Sequence, residues 1–178
     1  MTNDIKEILI SSEEITQITK DIAQQINKDY EGKELLLLGL LKGSVNFMAE
    51  LMKYITIKCT IDFMAVSSYG NGTESTGRVN ILKDMSVNPK DKNILIIEDI
   101  IDSGNTLSFM VDYLKAKKCA SVEIATLLNK PSRRKVQVPV KYSGKEIDDL
   151  FVVGFGLDYA EYYRNLPYIG VLKESVYE

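Results

Sequence analysis

Two spacings of apolar residues alternate along the chain. Ile15, Ile18, Ile22 and Ile26 recur every three or four positions, the period of one face of an α-helix. Ser11 with Glu14 three residues on has the form of a capping box at its start, and Tyr30-Glu31-Gly32 marks its end. "ELLLLGLL" (Glu34 to Leu41) is apolar at every position but its first acid and one glycine, as a strand buried on both faces of a parallel sheet is. Lys42-Gly43-Ser44 opens a second helix, with Val45, Met48, Ala49 and Met52 on one stripe. Ile55 to Val66 reads as extended, Ile55, Ile57, Cys59, Ile61 and Phe63 alternating with other residues. A strand at Asn93 to Ile97 leads to a helix from about Thr106, carried by Leu107, Met110, Val111 and Leu114. A strand at Ser121 to Leu128, a proline-containing loop from Asn129, and strands near Phe151 to Val153 and Ile169 to Leu172 complete the pattern.

Strands alternating with amphipathic helices predict an α/β fold, a mainly parallel sheet covered on both faces. The stretch Ser67 to Arg78 ("SSYGNGTESTGR") breaks the pattern, with three glycines, many hydroxyls and Tyr69 as its one apolar anchor, and reads as a mobile excursion. The chain has 178 residues, 45% hydrophobic and 26% charged, the composition of one ordinary globular domain over residues 1–178. A net charge of -3 argues against a nucleic-acid partner. No apolar run approaches a membrane span, and "MTNDIKEILI" carries early acids and no secretory signal. Cys59 and Cys119 are widely separated, which predicts reduced thiols and a cytoplasmic protein. The absence of histidine excludes Ser-His triads, imidazole acid-base chemistry and His-ligated zinc.

The chemistry concentrates after the strand at Asn93. Glu98, Asp99 and Asp102 follow an apolar run at once and lead into Ser103-Gly104-Asn105-Thr106. Buried carboxylates are costly unless something pairs with them, and ligands of open α/β sheets bind beyond the carboxyl ends of the strands. A loop of small and hydroxyl residues entering a helix offers N–H groups to a phosphate. Acids beside a phosphate cradle make sense if they address another part of the same ligand: vicinal hydroxyls, or the water shell of Mg²⁺. A sugar phosphate satisfies both demands. The missing lysine after the glycine excludes a P-loop, and no G-x-G-x-x-G is present.

"ILIIEDIIDSGNTL" (residues 94–107) resembles the phosphoribosyl pyrophosphate (PRPP) signature of the type I phosphoribosyltransferases. "LKGSVNF" (Leu41 to Phe47), "SSYGNGTESTG" (Ser67 to Gly77), "LLNKPSRR" (Leu127 to Arg134) and "FVVGFGLDYAEYYRNLPYIGVL" (Phe151 to Leu172) are similar to the bacterial-type hypoxanthine-guanine members. The resemblance spans nearly the whole chain in order. It implies a type I phosphoribosyltransferase fold: a twisted, mainly parallel sheet flanked by helices. A small hood over the base site would come from the N-terminal segment and residues of about 140–178, and a lid from about 67–78.

The resemblance also implies a purine-salvage reaction that moves the phosphoribosyl group from PRPP to N9 of hypoxanthine or guanine, giving IMP or GMP and pyrophosphate. Glu98 and Asp99 would hold the ribose hydroxyls and Mg²⁺, and Asp102 would exchange a proton at purine N7. Ser103, Gly104, Asn105 and Thr106 would cradle the 5′-phosphate, and Lys42, Gly43 and Arg164 the pyrophosphate. Phe151 would stack on the base, the Val152 backbone read its edge, Lys130 donate to the 6-oxo group, and Asp158 bind a second Mg²⁺. Ser68 and Tyr69 would act in the lid. A homodimer or homotetramer is the implied assembly. Two departures stand out: Asn105 occupies a position that is variable, and sometimes basic, in the family. "YSGKEIDDLF" (Tyr142 to Phe151) differs from the more usual Gly-Phe-x-Ile-Pro-Asp/Glu before the stacking Phe. The alternatives are a transferase preferring xanthine or another base, and a PRPP-sensing regulator. The acidic balance and the lack of a spare N-terminal domain weigh against the regulator.

Overall fold

A computed structural model describes residues 1–68 and 79–177. In chain order its elements are β1 (Ile5–Ile10), α1 (Ser12–Asp29), β2 (Leu35–Leu41), α2 (Val45–Met52), β3 (Cys59–Ser68), β4 (Val79–Lys83), β5 (Asn93–Ile101), α3 (Asn105–Ala116), β6 (Ser121–Asn129), β7 (Tyr142–Glu146), β8 (Val152–Val153), β9 (Ile169–Leu172) and the one-turn α4 (Glu174–Tyr177). Six strands form one sheet in the order β4-β3-β2-β5-β6-β7, and three form a second in the order β1-β9-β8. In the large sheet every neighbouring pair is parallel except β3 with the edge strand β4. The small sheet is antiparallel.

The leucine run of β2 explains why the sheet is covered twice. Side chains alternate across a strand, so Leu35 and Leu37 join Ile15, Ile22, Ile26, Phe47 and Leu51 of α1 and α2 on one face. Leu36, Leu38 and Leu40 join Leu107, Met110 and Leu114 of α3 on the other. Gly39 is the one interruption, because Phe63 and the Met48 sulfur fill the space a Cβ would need, at 2.8 and 2.7 Å. The capping expectation at α1 is met by Ser11 Oγ accepting from Glu14 N at 3.2 Å, and Tyr30 N closes the helix on Ile26 O.

Three boundaries differ from the pattern. The extended stretch from Ile55 becomes a strand only at Cys59, where pairing with Leu35 begins. β5 runs on from Ile97 to Ile101, because β6 continues beside it: Glu98 faces Thr126, Ile100 faces Leu128 and Ile101 faces Asn129. Glu98 and Asp99 therefore lie within the strand, not beyond it. On the other side β2 stops pairing at Gly39↔Ile97, so the acidic end of β5 overhangs towards the loop after β2. The strands β1, β4 and β7, which pattern did not reveal, each bury at most one residue fully. The departing segment "YSGKE" is β7, an edge strand whose Gly144 would carry a Cβ 2.2 Å from Leu127 O. Tyr69, with most of the expected excursion, lies outside the described residues, and Ser67 and Ser68 close β3.

Chain order fixes where a ligand can enter. β2 is followed by β3 on one side, and β5 lies on its other side, while α2 and α3 pack on opposite faces. That reversal is a topological switch point, whose carboxyl-end crevice is the usual ligand site. Among the described residues no helix is long and apolar enough to cross a membrane.

Candidate active site

The overhanging end of β5 builds the centre of the site. Asp99 is 8% exposed, and its Oδ1 accepts from Ile100 N at 2.7 Å. Asp99 N donates to Glu98 Oε1 at 3.2 Å. Burial pushes Glu98 well above the usual carboxylate range, and the neighbouring Asp99 charge adds to it. Asp99 is also raised, by burial, against the opposing pull of the Glu98 contact, the Ile100 N–H and the Arg164 charge. Two adjacent acids, one buried and one half-buried, are costly to ionise together. Gly43, from the loop after β2, comes so close that a Cβ there would lie 1.9 Å from Asp99 Oδ2. The Leu41–Lys42 peptide in this loop is cis.

After β5 the chain turns into α3 through Asp102, Ser103 and Gly104. Gly104 is the N-cap, at φ +85°, and no side chain caps the helix. Its first intrahelical bond is Ser108 N to Gly104 O, so the N–H groups of Thr106 and Leu107 have no acceptor within the helix. These residues line a cavity of about 230 Å³ with Glu98, Ile100, Ile101, Asp102, Ser103 and Gly104. Asn105 is absent from that lining, and its N–H donates to Ser103 Oγ at 3.4 Å. The loop after β6 fixes the turn from outside. Ser103 O accepts from Lys135 N and Val136 N at 2.9 and 3.0 Å, and Arg134 Nε donates to Asp102 O at 3.0 Å. With its carbonyls tied outward, the turn offers its N–H groups to the cavity, the arrangement an anion needs.

A second cavity, of about 380 Å³, opens beside the first, lined by Ile100, Asp102, Lys130, Phe151, Val152, Leu157 and Asp158 among others. Ile100 and Asp102 line both. Lys130 is 8% exposed; its Nζ donates to Leu150 O at 2.6 Å and lies 3.8 Å from Asp149. Burial lowers its pKa, against the pull of Asp102 and Asp149.

Arg164 joins the two halves. It donates through Nη1 to Gly156 O at 2.7 Å and pairs through Nη2 with Asp158 Oδ1 at 2.9 Å. The other oxygen of Asp158 accepts from Glu161 N at 2.9 Å, so this carboxylate is engaged at both ends. Lys42, by contrast, is exposed and pairs with Glu161 at 2.8 Å. Among the described residues three buried side-chain atoms lack a hydrogen-bond partner: Ser44 Oγ, Asp102 Oδ1 and Arg164 Nε. Buried polar groups are ordinarily satisfied, and Asp102 and Arg164 are two of the residues singled out for ligand contact.

The structure thus gathers Glu98, Asp99, Asp102, Ser103, Gly104, Thr106, Lys42, Gly43, Lys130, Phe151, Val152, Asp158 and Arg164 around one cleft. Arg134 and Ile100 belong to it too. The quoted segments contain both, yet spacing alone gave them no role, since their contacts are made only in the folded chain.

The model of the phosphoribosyl transferase domain matches residues 6–160. The chain is 54% identical over 177 residues to the hypoxanthine-guanine phosphoribosyltransferase of Staphylococcus aureus, covering 99% of each, and equally similar to that of Staphylococcus epidermidis. Its fold superposes on a crystal structure of a Staphylococcus aureus hypoxanthine phosphoribosyltransferase with a TM-score of 0.97, at 53% identity, covering 100% of this chain and 97% of that one. For a Bacillus anthracis hypoxanthine-guanine phosphoribosyltransferase the TM-score is 0.91, at 48% identity, with 95% and 99% covered. A signature built on an overhanging acidic strand, matched along the whole chain and in three dimensions, places it: this chain belongs to the phosphoribosyltransferases, in their hypoxanthine-guanine group.

Proposed function

We propose that the protein transfers the 5-phosphoribosyl group of PRPP to N9 of hypoxanthine or guanine, releasing pyrophosphate. The observation that carries this reading is the sharing of Asp102 and Ile100 by the two cavities. A 5′-phosphate in the turn at Ser103–Thr106 and a purine against Phe151 then meet at one carboxylate. Glu98 and Asp99 accept hydrogen bonds from the ribose diol. Lys130 donates to the 6-oxo group, and the Val152 backbone reads the far edge of the ring. Asp102, with one buried oxygen otherwise unpartnered, takes or returns the proton at N7. Arg164, with Nε buried and unpartnered, holds the leaving pyrophosphate together with the Lys42–Gly43 loop, where negative charge accumulates.

The donor set fits Mg²⁺. Glu98 and Asp99 are adjacent hard oxygen ligands, and burial pushes both above the usual carboxylate range. Among the described residues no three acidic or thiol side chains converge on a point, and magnesium is typically bound by one or two carboxylates completed by substrate phosphates and water. When bound, it neutralises charge on the departing pyrophosphate. Asp158 is the weaker candidate for a second ion, because Arg164 and Glu161 N already engage both of its oxygens.

An ultraviolet assay with PRPP and Mg²⁺ against hypoxanthine, guanine, xanthine and adenine tests the reading. Turnover of the first two, abolished by EDTA, is the expected result. Turnover of xanthine or adenine alone would keep the mechanism and change the base. PRPP binding without turnover of any base would point to a sensor.

A further inference from the structure

Phe151 is 39% exposed yet not isolated. The Tyr177 ring stacks on it with centroids 4.6 Å apart and planes at 18°, and Tyr159 meets it edge-on at 5.6 Å and 84°. Tyr159 also lies edge-on to Tyr177 at 6.5 Å. The backbone leaving β9 sets this cluster. Leu172 N donates to Phe151 O at 2.9 Å, Lys173 N to Asp4 O at 2.9 Å, and Val176 N to Lys173 O at 3.0 Å. Lys173 Nζ adds a bond to Asn3 O at 2.6 Å. The turn of α4 therefore starts from a fixed point beside Phe151. Val176 and Tyr177 pack on the apolar cluster of Val153, Tyr163, Leu166 and Leu172. Both Phe151 and Tyr177 line the 380 Å³ cavity.

From this geometry we infer that Tyr177 is a positioning residue of the base site, backing Phe151 so that one face of the phenyl ring is held and the other receives the purine. The inference rests on the base-binding reading of Phe151. An aromatic ring has two faces for offset stacking. Tyr177 takes one, and Tyr159 restrains an edge. A ring already held on one face loses less freedom when a base stacks on the other, which is how preorganisation raises affinity. The substrate class concerned is the planar purine, and the effect belongs to its binding rather than to PRPP or the chemical step.

The test is steady-state kinetics on Tyr177→Ala, Tyr177→Leu and Tyr177→Phe beside Phe151→Ala. Leu keeps apolar bulk against Val153 and Leu172, so it separates loss of the ring from loss of packing. Tyr177→Ala and Tyr177→Leu are expected to raise KM for hypoxanthine and guanine roughly three- to tenfold, as loss of one aromatic pair implies. KM for PRPP and kcat stay within about twofold in this reading, and Tyr177→Phe restores the wild-type KM. An unchanged base KM in Tyr177→Leu, or no rescue by Phe, would overturn it. A base KM that falls would also do so, since the tyrosine would then be occupying the purine's own place. If Phe151→Ala raises base KM while Tyr177→Leu does not, only the backing role fails. If neither raises it, the base-binding reading of Phe151 fails with it.

Discussion

Gly43 lacks a side chain because Asp99 stands where one would be, 1.9 Å from the ideal Cβ. That close approach joins the loop after β2 to the acid pair of β5. In the proposed reaction Asp102 carries the proton exchange at the base. Its Oδ1 is buried without a partner, and its backbone carbonyl is held by Arg134, so its position is fixed through a different atom from the one proposed to exchange the proton. Asp102→Asn keeps the shape and removes the base; kcat is expected to fall about 10²- to 10⁴-fold while PRPP binding measured by calorimetry changes little. An unchanged kcat would remove Asp102 from the mechanism. The three acids were legible in sequence because charge behind an apolar strand asks for a partner. Tyr177 was not, because its meaning lies in a ring contact with Phe151, 26 positions earlier by their numbers, which no periodicity encodes.

At the scale of elements, the segment from Lys130 to Val136 acts as a brace on the turn from β5 into α3. Val136 O lies 2.4 Å from where a Gly104 Cβ would be, and Arg134 Nη2 also donates to Asn129 Oδ1 at 2.5 Å, anchoring the brace to the end of β6. Arg134→Ala is expected to raise KM for PRPP about tenfold, the scale of one charge-assisted hydrogen bond, with KM for the base less affected; equal changes in both would argue for general loosening. A second brace has no part in the site. Asp62 of β3 accepts from Phe63 N at 2.7 Å, Ser86 N at 2.6 Å and Val87 N at 2.8 Å, pinning the connection between β4 and β5. Burial would raise its pKa, but the Val87, Phe63 and Ser86 N–H groups outweigh that and hold it below the ordinary 3.8. A carboxylate lowered on folding stabilises the protein above its unfolded pKa, and that contribution is lost as pH falls through the folded one. Asp62→Asn should therefore lower the urea midpoint at pH 7, by about 1–2 kcal/mol of stability, with the gap to wild type closing below pH 3.8. A gap that persists there would assign the effect to packing. Buried elements such as β2 and β5 were readable from apolar runs; β1, β4 and β7 were not, because each buries at most one residue fully and so carries a weak pattern.

At the scale of the whole molecule, the site exists only where two sheets meet. The six-stranded sheet brings Gly43, the acids and the phosphate turn; the segment joining β8 to β9 brings Gly156, Asp158 and Arg164. Two kinds of contact hold them together, and magnitudes separate them. The Lys42–Glu161 pair has both side chains about two-thirds exposed, at 66% and 63%, where an ion pair contributes about 0–1 kcal/mol. Gly156, at φ +104°, packs against Gly43 so closely that its Cβ would lie 2.1 Å from Gly43 O, a backbone atom that cannot swing aside. Asn46 Nδ2 donates to Arg164 O at 3.1 Å within the same seam. Glu161→Gln should thus leave thermal stability within about 0.5 kcal/mol. Gly156→Ala adds both a strained φ and a backbone collision, so the seam must open. Because Gly43 approaches Asp99 and Arg164 is anchored on Gly156 O, opening it displaces Gly43, Asp99 and Arg164 together, and with them both halves of the proposed site. The expected signature is a joint rise in KM for PRPP and for the purine with a fall in kcat, since a misplacement of about 1 Å near the reacting centre can cost on the order of 10² in rate. A rise confined to one substrate would mean that the two halves of the cleft are positioned independently.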